Sequence, residues 1–172
     1  MRFGRLSILI AAYNEEATLQ CCLERILRTP LAHDLAREII LVDDGSTDCT
    51  WPIAQKLAAK HPELRIFRQP KNQGKGAAIR RAISEMTGDL AILQDADLEY
   101  DPSDYNRMLK PIMEGKADAV FGSRFTGEER KILYFWHTAG NRVLTLLANM
   151  LNDINLTDME TGYKVFRTAI IQ

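Results

Sequence analysis

Two aspartates separated by one residue follow an apolar segment in the middle of this chain. The run Leu-Ala-Ile-Leu at 90–93 is typical of a buried strand, and Asp95 and Asp97 lie just beyond it. Open α/β sheets bind ligands where their strands end, and two carboxylates held there repel each other unless a cation lies between them. Mg²⁺ takes one or two carboxylates and completes its coordination with water and phosphate oxygens. The pair therefore indicates either a divalent-metal site or, more simply, a polar loop.

A second pair of acids follows an earlier strand candidate. Asp43 and Asp44 precede a segment of glycine and hydroxyl residues. Such a pair can accept hydrogen bonds from a base and a ribose, whereas Ser46, Thr47 and Asp48 are better explained as a cap for the next helix. Adjacent acids at a strand end gain nothing from capping, so Asp43 and Asp44 are the stronger candidates for ligand binding.

The segment 71–76, Lys-Asn-Gln-Gly-Lys-Gly, opens the third predicted helix. It fails the Walker pattern because Gln69 stands where glycine is required and Gly76 follows the lysine where serine or threonine should. It still combines flexible backbone, two lysines and a helix N-terminus, which together suit a phosphate. Lys75 and Gly76 are therefore candidate phosphate contacts, and an ordinary loop with a glycine entry is an equally open interpretation.

Basic residues follow the last strand candidate. Arg124 comes after Gly122-Ser123, and Arg130 and Lys131 lie close to it in sequence. Solvated charge is the default interpretation of Arg124. As a group, the three side chains are also able to supply bidentate or point-charge contacts to phosphate.

These residues need a scaffold that brings strand ends together, and the hydrophobic pattern predicts one. Strand candidates lie at 6–11, 38–42, 64–67, 90–93 and 117–121, and helical patterns lie at 19–27, 53–58, 78–86, from about 101 onwards, and at 133–151. Alternation of strands and helices predicts a three-layer α/β fold with a mostly parallel sheet.

Length and charge narrow the possible classes. A chain of 172 residues fits one domain, and a net charge of −1 gives no basic field for nucleic acid. The sequence has no run of 18 apolar residues, which is about the length a membrane span requires. Residues 168–172 read as the opening turn of another element, so we expect a chain truncated at its C-terminus.

Taken in order, the loops resemble those of family 2 glycosyltransferases with the GT-A fold, and most of all the dolichyl- or polyprenyl-phosphate sugar synthases. The segments that carry the resemblance are Ala12-Tyr13-Asn14-Glu15, 42–48, 72–76, 95–99, Gly122-Ser123-Arg124 and 158–166. The resemblance implies one GT-A (nucleotide-diphospho-sugar transferase) catalytic domain over 1–172. Within it, 1–97 forms the nucleotide-sugar and metal-binding half and 98–172 the acceptor half.

The resemblance also implies roles for individual residues. The nucleotide-sugar contacts are Ala12, Tyr13, Glu15, Asp43, Asp44, Lys75, Gly76, Asp95 and Ala96, with Asp44 reading the base edge. Asp95, Asp97 and Glu99 are implied ligands of Mg²⁺ or Mn²⁺. The implied catalytic residues are Asp97, Asp158 and Arg124, and the candidate cations for an acceptor phosphate are Arg124, Arg130, Lys131 and Arg142.

The implied reaction is inverting transfer of a hexose from a GDP-mannose or UDP-glucose type donor to a polyprenyl or dolichyl phosphate, at the cytoplasmic face of the membrane. A phosphate whose second pKa is about 6 is already largely anionic at neutral pH and needs no general base. Asp158 becomes a candidate base if the acceptor is a saccharide hydroxyl, which stays open, as does a nucleotide-binding domain inactive through truncation.

Two other classes fit the sequence less well. A nucleotidyltransferase is expected to carry a glycine-rich basic first loop, where this chain has Tyr13-Asn14-Glu15-Glu16. A phosphoacceptor receiver domain has its acid pair after the first strand, whereas the pairs here follow the second and fourth.

The predicted late helix carries a broad apolar surface. It comprises Tyr134, Phe135, Trp136, Val143, Leu144, Leu146 and Leu147. Core packing explains such a surface. A groove or interface for a lipid tail explains it as well, in keeping with peripheral membrane contact, or a membrane segment elsewhere in a longer protein.

Overall fold

A computed structural model describes residues 3–123, 135–153 and 155–171, without the side chains of residues 33 and 135–138. In the described part, strands and helices alternate as the sequence predicts. The strands are β1 (Arg5–Ala12), β2 (Ala36–Asp43), β3 (Leu64–Arg68), β4 (Leu90–Asp95), β5 (Ala119–Phe121) and β6 (Lys164–Arg167). The helices are α1 (Leu19–Arg28), α2 (Thr50–Ala58), α3 (Lys75–Glu85), α4 (Tyr105–Met113), α5 (Phe135–Asn152) and α6 (Thr168–Ile171).

The described strands form one mixed sheet in the order β3-β2-β1-β4-β6-β5. β1 pairs in parallel with β2 and β4, and β3 pairs in parallel with β2. β6 runs antiparallel between β4 and β5. The predicted three-layer α/β fold is therefore confirmed, but the sequence analysis missed β6, whose four residues carry too little apolar pattern to identify a strand.

Helices cover both faces of the central strands. On one face Leu23 of α1 and Leu109 of α4 pack against the sheet, and on the other Ala78 and Ala82 of α3 do so. β1, β2 and β4 are accordingly apolar along most of their length, as expected for strands buried on both faces. Burial of each large aliphatic side chain contributes about 1.5–3 kcal/mol, which makes these three strands a rigid base for their terminal loops.

The fourth helix begins with a short 3₁₀ turn at Pro102–Asp104, where Asp101 accepts a hydrogen bond of 2.9 Å from the Ser103 amide. This confirms the predicted start near residue 101. Pro111 lies inside α4, which continues to Met113. The sequence pattern left open whether this proline kinks the helix or ends it early, and the helix ends two residues beyond it.

The polar and apolar faces of α5 are inverted relative to those of an ordinary surface helix. Asn141 and Thr145 are buried, whereas Val143, Leu144, Leu146 and Leu147 are exposed. Core packing is therefore the wrong interpretation for these four residues. Tyr134 lies outside the described residues, as do the side chains of Phe135 and Trp136. Among the helices that the structure describes, none is both long and apolar enough to cross a bilayer.

A buried polar cluster closes the edge of the sheet where β1 and β4 begin. Ser7 Oγ donates to Glu38 Oε2 (2.6 Å), and the Gly88 amide donates to Ser7 Oγ (3.0 Å). Burial alone raises the pKa of Glu38, but hydrogen bonds from Ser7, Thr87 and Arg65 outweigh it and hold that pKa below its usual value. A Cβ at position 88 would lie 2.5 Å from Ser7 Oγ and 2.9 Å from Ser7 N, so the strands approach closely only with glycine there.

We expect Gly88→Ala to destabilise the fold by about 1–3 kcal/mol, because the added methyl group overpacks this junction. Gly140→Ala is the matched control, since a Cβ there meets nothing within 4 Å and the residue lies inside α5. That change should stabilise the helix by about 0.5–1 kcal/mol. Urea unfolding of both variants measures the difference. Equal urea midpoints for the two variants would contradict the close approach of Gly88 to Ser7.

Candidate active site at the carboxyl edge of the sheet

The carboxyl ends of β1, β2 and β4 bring the predicted acids together. Ala12 pairs with Asp43 across β1 and β2, and Ala11 pairs with Asp95 across β1 and β4. The two acids are therefore separated by a single strand, about 5 Å on each side. Ala12 and Ala96 are buried at this edge.

The loops after β1 and β2 are tied together by hydrogen bonds. The Asn14 amide donates to Ser46 Oγ (3.0 Å), and the Thr47 amide donates to Asn14 Oδ1 (2.9 Å). The Glu15 amide donates to Thr50 Oγ1 (2.7 Å). The hydroxyl of Ser46 thus joins two loops, which differs from the helix-cap role expected of it. Asp48 does act near the start of α2, accepting from the Thr50 amide at 2.9 Å.

Asp43 is fully buried and is held by a cation. Its Oδ2 lies 3.0 Å from Arg68 Nε, and its Oδ1 accepts from the Ser46 amide at 3.2 Å. The Arg68 guanidinium also donates to the Ser46 carbonyl (2.9 Å) and lies 5.6 Å from the centre of the Trp51 ring. The ion pair offsets the cost of burying the carboxylate and fixes its orientation.

Asp44 organises the loop between β3 and α3. Its Oδ1 accepts hydrogen bonds from Gln69 Nε2 (2.8 Å) and the Gln73 amide (2.9 Å), and its Oδ2 accepts from the Gly74 amide (2.8 Å). A carboxylate offers about four acceptor positions, so most of its capacity is already used. In this conformation Asp44 shapes the candidate nucleoside pocket mainly by holding residues 69–74, whereas Tyr13 is exposed at the rim.

Asp95 and Lys75 meet at the centre of the edge. Lys75 is the first residue of α3, and its ammonium lies 2.5 Å from Asp95 Oδ1. A Cβ at position 162 would lie 2.5 Å from Asp95 Oδ2, so the Gly162 backbone passes directly against the other carboxylate oxygen. Gly76 lies beside Lys75 in the first turn of α3, and its role as a phosphate contact stays a prediction.

The other two predicted metal ligands are arranged differently. Asp97 is exposed, and its Oδ1 accepts from the Glu99 amide at 3.0 Å. Within the described residues, no three His, Cys, Asp or Glu side chains are grouped to hold a metal. The structure therefore does not gather Asp95, Asp97 and Glu99 into one cluster, and the role of Glu99 as a third ligand stays a prediction.

The carboxylates nevertheless fit a hard divalent cation that keeps several water or phosphate ligands, because such an ion needs only one or two carboxylates. The ammonium of Lys75 already contacts Asp95, which shows that this carboxylate attracts a positive charge. Asp95, with the exposed Asp97, would hold such an ion.

A buried polar network that the sequence analysis missed supports Asp95 from below. Gln94 Oε1 accepts hydrogen bonds from the hydroxyls of Tyr105 (2.7 Å) and Tyr163 (2.8 Å), and Gln94 Nε2 donates to the Asp95 carbonyl (2.8 Å). Burial raises the pKa of both tyrosines well above the ordinary value, so both remain donors. The Tyr100 ring stacks on Tyr163 at 4.5 Å.

Asp158 is buried and is held by the polar face of α5. Asn141 Nδ2 donates to Asp158 Oδ1 (2.7 Å), and Thr145 Oγ1 donates to Asn141 Oδ1 (3.1 Å). Thr145 Oγ1 also accepts from the Met159 amide at 3.1 Å. The inverted polarity of α5 is thus explained, because its buried polar residues hydrogen-bond to Asp158 and hold it in position.

Lys164 is a further charged residue at this edge that the sequence analysis did not single out. It is the first residue of β6, and it pairs with Leu93 of β4 and Phe121 of β5. Its pKa is lowered by burial and by the nearby Lys75, and the charges of Asp158 and Asp95 act in the opposite direction. The charge of Lys164 therefore interacts with both Asp95 and Asp158.

Of the predicted acceptor-phosphate cations, Arg124, Arg130 and Lys131 lie outside the described residues. Arg142 is described, and its side chain is exposed next to the buried Asn141 of α5. Whether these residues bind phosphate stays a prediction.

This chain is similar to curated proteins whose names include a lipid phosphate. A dolichol-phosphate mannosyltransferase of Pyrococcus furiosus is 35% identical over 121 residues, which cover 70% of this chain and 33% of that protein. A dodecaprenyl-phosphate galacturonate synthase of Rhizobium johnstonii is 30% identical over 168 residues, which cover 97% and 49%. The chain thus spans about a third to a half of the length of these relatives.

Solved structures share the fold at lower identity. A mannosyltransferase of Pyrobaculum calidifontis in complex with GDP-mannose and Mn²⁺ matches with a TM-score of 0.69 and 21% identity, over 97% of this chain and 45% of that one. Glucosyl-3-phosphoglycerate synthase of Mycobacterium tuberculosis with Mn²⁺, UDP-glucose and phosphoglyceric acid matches with a TM-score of 0.72 and 21% identity, over 97% and 57%.

The family assignment extends across nearly the whole sequence. The model of the family described as "Glycosyl transferase family 2" matches residues 7–172, which include every strand end described above. Sequence, fold and site geometry agree, and the chain belongs to glycosyl transferase family 2.

Proposed function

We propose that this chain is the catalytic domain of an inverting, metal-dependent hexosyltransferase that moves a sugar from a nucleotide-diphosphate donor to a polyprenyl or dolichyl phosphate. The relatives named for dolichol-phosphate and dodecaprenyl-phosphate products support this acceptor class. The donor class is supported by the neighbours whose structures contain GDP-mannose or UDP-glucose.

The contact between Lys75 and Asp95 is the observation that carries the proposal. It joins the start of α3, where amides and a lysine suit phosphate, to a carboxylate that suits a divalent cation. The loops held by Asp43 and Asp44 lie on the β1–β2 side of this contact. A nucleoside bound over those loops would direct its diphosphate towards Lys75 and Asp95.

Each part of the edge then has a task on the donor. Tyr13 and the 69–74 loop border the nucleoside, and the Asp43–Arg68 pair keeps the floor of the pocket rigid. Lys75 and the N-terminus of α3 stabilise the negative charge that grows on the departing diphosphate. A divalent cation held by Asp95 and Asp97 would supply further electrostatic stabilisation of that leaving group.

The acceptor half, 98–172, contributes Asp158 and the cations around it. A lipid phosphate that is already anionic attacks without a general base, so Asp158 orients the acceptor in this proposal. Direct displacement with the acceptor opposite the diphosphate inverts the anomeric configuration. The exposed apolar face of α5 is the proposed contact with the cytoplasmic face of the membrane, which would bring the lipid to Asp158.

The direct test is an assay with GDP-mannose and UDP-glucose, Mg²⁺ or Mn²⁺, and a short polyprenyl phosphate. We expect metal-dependent formation of the sugar phospholipid with inverted configuration. A product that retains the configuration would contradict the mechanism. Transfer only to saccharide hydroxyls would show that the acceptor is a saccharide and not a lipid phosphate. Nucleotide binding without any transfer would indicate an inactive domain.

We expect Asp95→Asn to reduce the affinity for GDP or UDP by about tenfold or more in Mn²⁺, and to have little effect without metal, because the carboxylate acts through the cation. Asp118→Asn is the control, because Asp118 precedes β5 at the opposite edge of the sheet and pairs with Arg167. Titration calorimetry of both variants checks this. Unchanged Mn²⁺-dependent affinity in Asp95→Asn would rule out the metal role.

Lys75→Met should change two affinities in opposite directions. Without nucleotide, Mn²⁺ should bind about two- to fivefold more tightly, because the partly exposed ammonium no longer competes for Asp95. With Mn²⁺ present, the nucleotide diphosphate should bind more weakly, because its phosphates lose a cation. Lys56→Met, on the exposed side of α2, serves as the control. Two affinities that fall together would show that Lys75 and the metal do not compete.

A further inference from the structure

Lys164 is within electrostatic reach of Asp95 and Asp158, and among the residues that the structure describes it forms no ion pair. Its side chain is half-buried, and its ammonium lies 5.4 Å from the centre of the Phe121 ring. In the part of the chain that the structure describes, no carboxylate lies within ion-pair distance of it, although Asp95 and Asp158 act on it electrostatically. Lysines are rarely buried without a partner, because removing an ammonium from water is costly.

Lys75 and Lys164 bring two ammonium groups to this edge of the sheet, and only one of them is in contact with a carboxylate of the described residues. The ammonium of Lys75, which acts on Lys164 electrostatically, is already in contact with Asp95. The aromatic ring of Phe121 stabilises the ammonium only in part, since such contacts contribute about 0.5–2 kcal/mol. An anionic ligand would complete the interactions of Lys164.

Strand order indicates which anion this is. The candidate nucleoside loops follow β1, β2 and β3, on one side of β4, whereas Lys164 begins β6 on the other side. Lys164 pairs with Leu93, two residues before Asp95 in β4, and adjacent strands are about 5 Å apart. Lys164 therefore lies on the side of β4 that faces away from the nucleoside loops. The donor diphosphate is assigned to Lys75 and Asp95. A second anion on the Lys164 side therefore belongs to the acceptor.

We propose that Lys164 binds the phosphate of the acceptor substrate, a phosphate monoester, and holds it beside Asp158 for attack on the donor sugar. This inference rests on the proposed function, because it assumes a donor on the β1–β3 side. It adds a cation within the folded sheet to the candidates Arg124, Arg130, Lys131 and Arg142, which all precede Asp158 in the chain. The lysine acts by charge and hydrogen bonding to the phosphate oxygens.

Binding without donor isolates this role. We would titrate the protein with farnesyl phosphate, 3-phosphoglycerate, inorganic phosphate and the uncharged alcohol farnesol. In Lys164→Met, affinity for the phosphates that bind the wild-type protein should fall by about tenfold or more, and in Lys164→Arg it should stay within about threefold. Lys116→Met, an exposed lysine paired with Glu114 beyond α4, should change nothing.

Comparison of these ligands shows which kind of molecule carries the phosphate. Tighter binding of farnesyl phosphate identifies a lipid, and tighter binding of 3-phosphoglycerate identifies a small soluble acceptor, while both retain the role of Lys164. Farnesol affinity should be the same in all variants. The proposal is overturned if the wild-type protein binds no phosphate monoester, or if Lys164→Met binds them as tightly as the wild type.

A parallel titration with GDP or UDP and Mn²⁺ keeps the two proposals apart. Lys164→Met should bind the nucleotide within about twofold of the wild-type affinity, since Lys164 lies beyond the diphosphate position. An equal loss of nucleotide and acceptor binding would overturn the role of Lys164 as an acceptor ligand. Failure of the wild-type protein to bind any nucleotide would instead contradict the proposed function.

Discussion

Carboxylates of like charge meet at one edge of this sheet, and the surrounding structure is organised to hold them there. Parallel pairing places the ends of β1, β2 and β4 side by side, so Asp43 and Asp95 are only two strands apart. Each acid has its own compensation. Asp43 has Arg68, Asp44 has three donors of the 69–74 loop, and Asp95 has Lys75. These partners differ in how exposed they are, and the difference distinguishes the structural acids from the acid proposed to bind metal. Asp43 and Asp44 are buried and satisfied within the protein, whereas the Lys75 ammonium on Asp95 is exposed enough for a cation to replace it.

The same logic explains the unusual polarity of α5. A buried Asp158 needs donors, and Asn141 and Thr145 provide the nearest part of that network. Because these residues occupy the inner face of the helix, its aliphatic residues face outwards. The helix therefore links an apolar outer surface to an acid of the candidate site, as the proposed polyprenyl-phosphate acceptor would require.

Much of this architecture was predictable from the sequence, because local signals and global fold agree. Continuous apolar runs identified the parallel strands, and polar clusters after each run identified the candidate loops. The features that the sequence could not show depend on partners far away in the chain. β6 has only four residues, and its pairing relies on Leu93 and Phe121, far away in the chain. The donors to Asp44 lie 25 to 30 residues away, so its structural role was hidden behind the base-reading role implied by the resemblance.

Gln94 carries a signal in the sequence that indicates a buried polar network. An amide at the end of a buried apolar run requires hydrogen-bond partners, and this one has Tyr105 and Tyr163. The position of Lys164 gave no such signal, since a lysine in a polar segment is usually solvated. Its pairing with Leu93 and the strand order show that it lies next to β4, on the side away from the nucleoside loops.

A crystal structure of the protein with Mn²⁺ and a nucleotide diphosphate tests the central claim most directly. The account predicts that an oxygen of Asp95 coordinates the metal and that the Lys75 ammonium leaves Asp95 for a phosphate oxygen. A metal bound elsewhere, or Lys75 still paired with Asp95 while the nucleotide is in place, would contradict it.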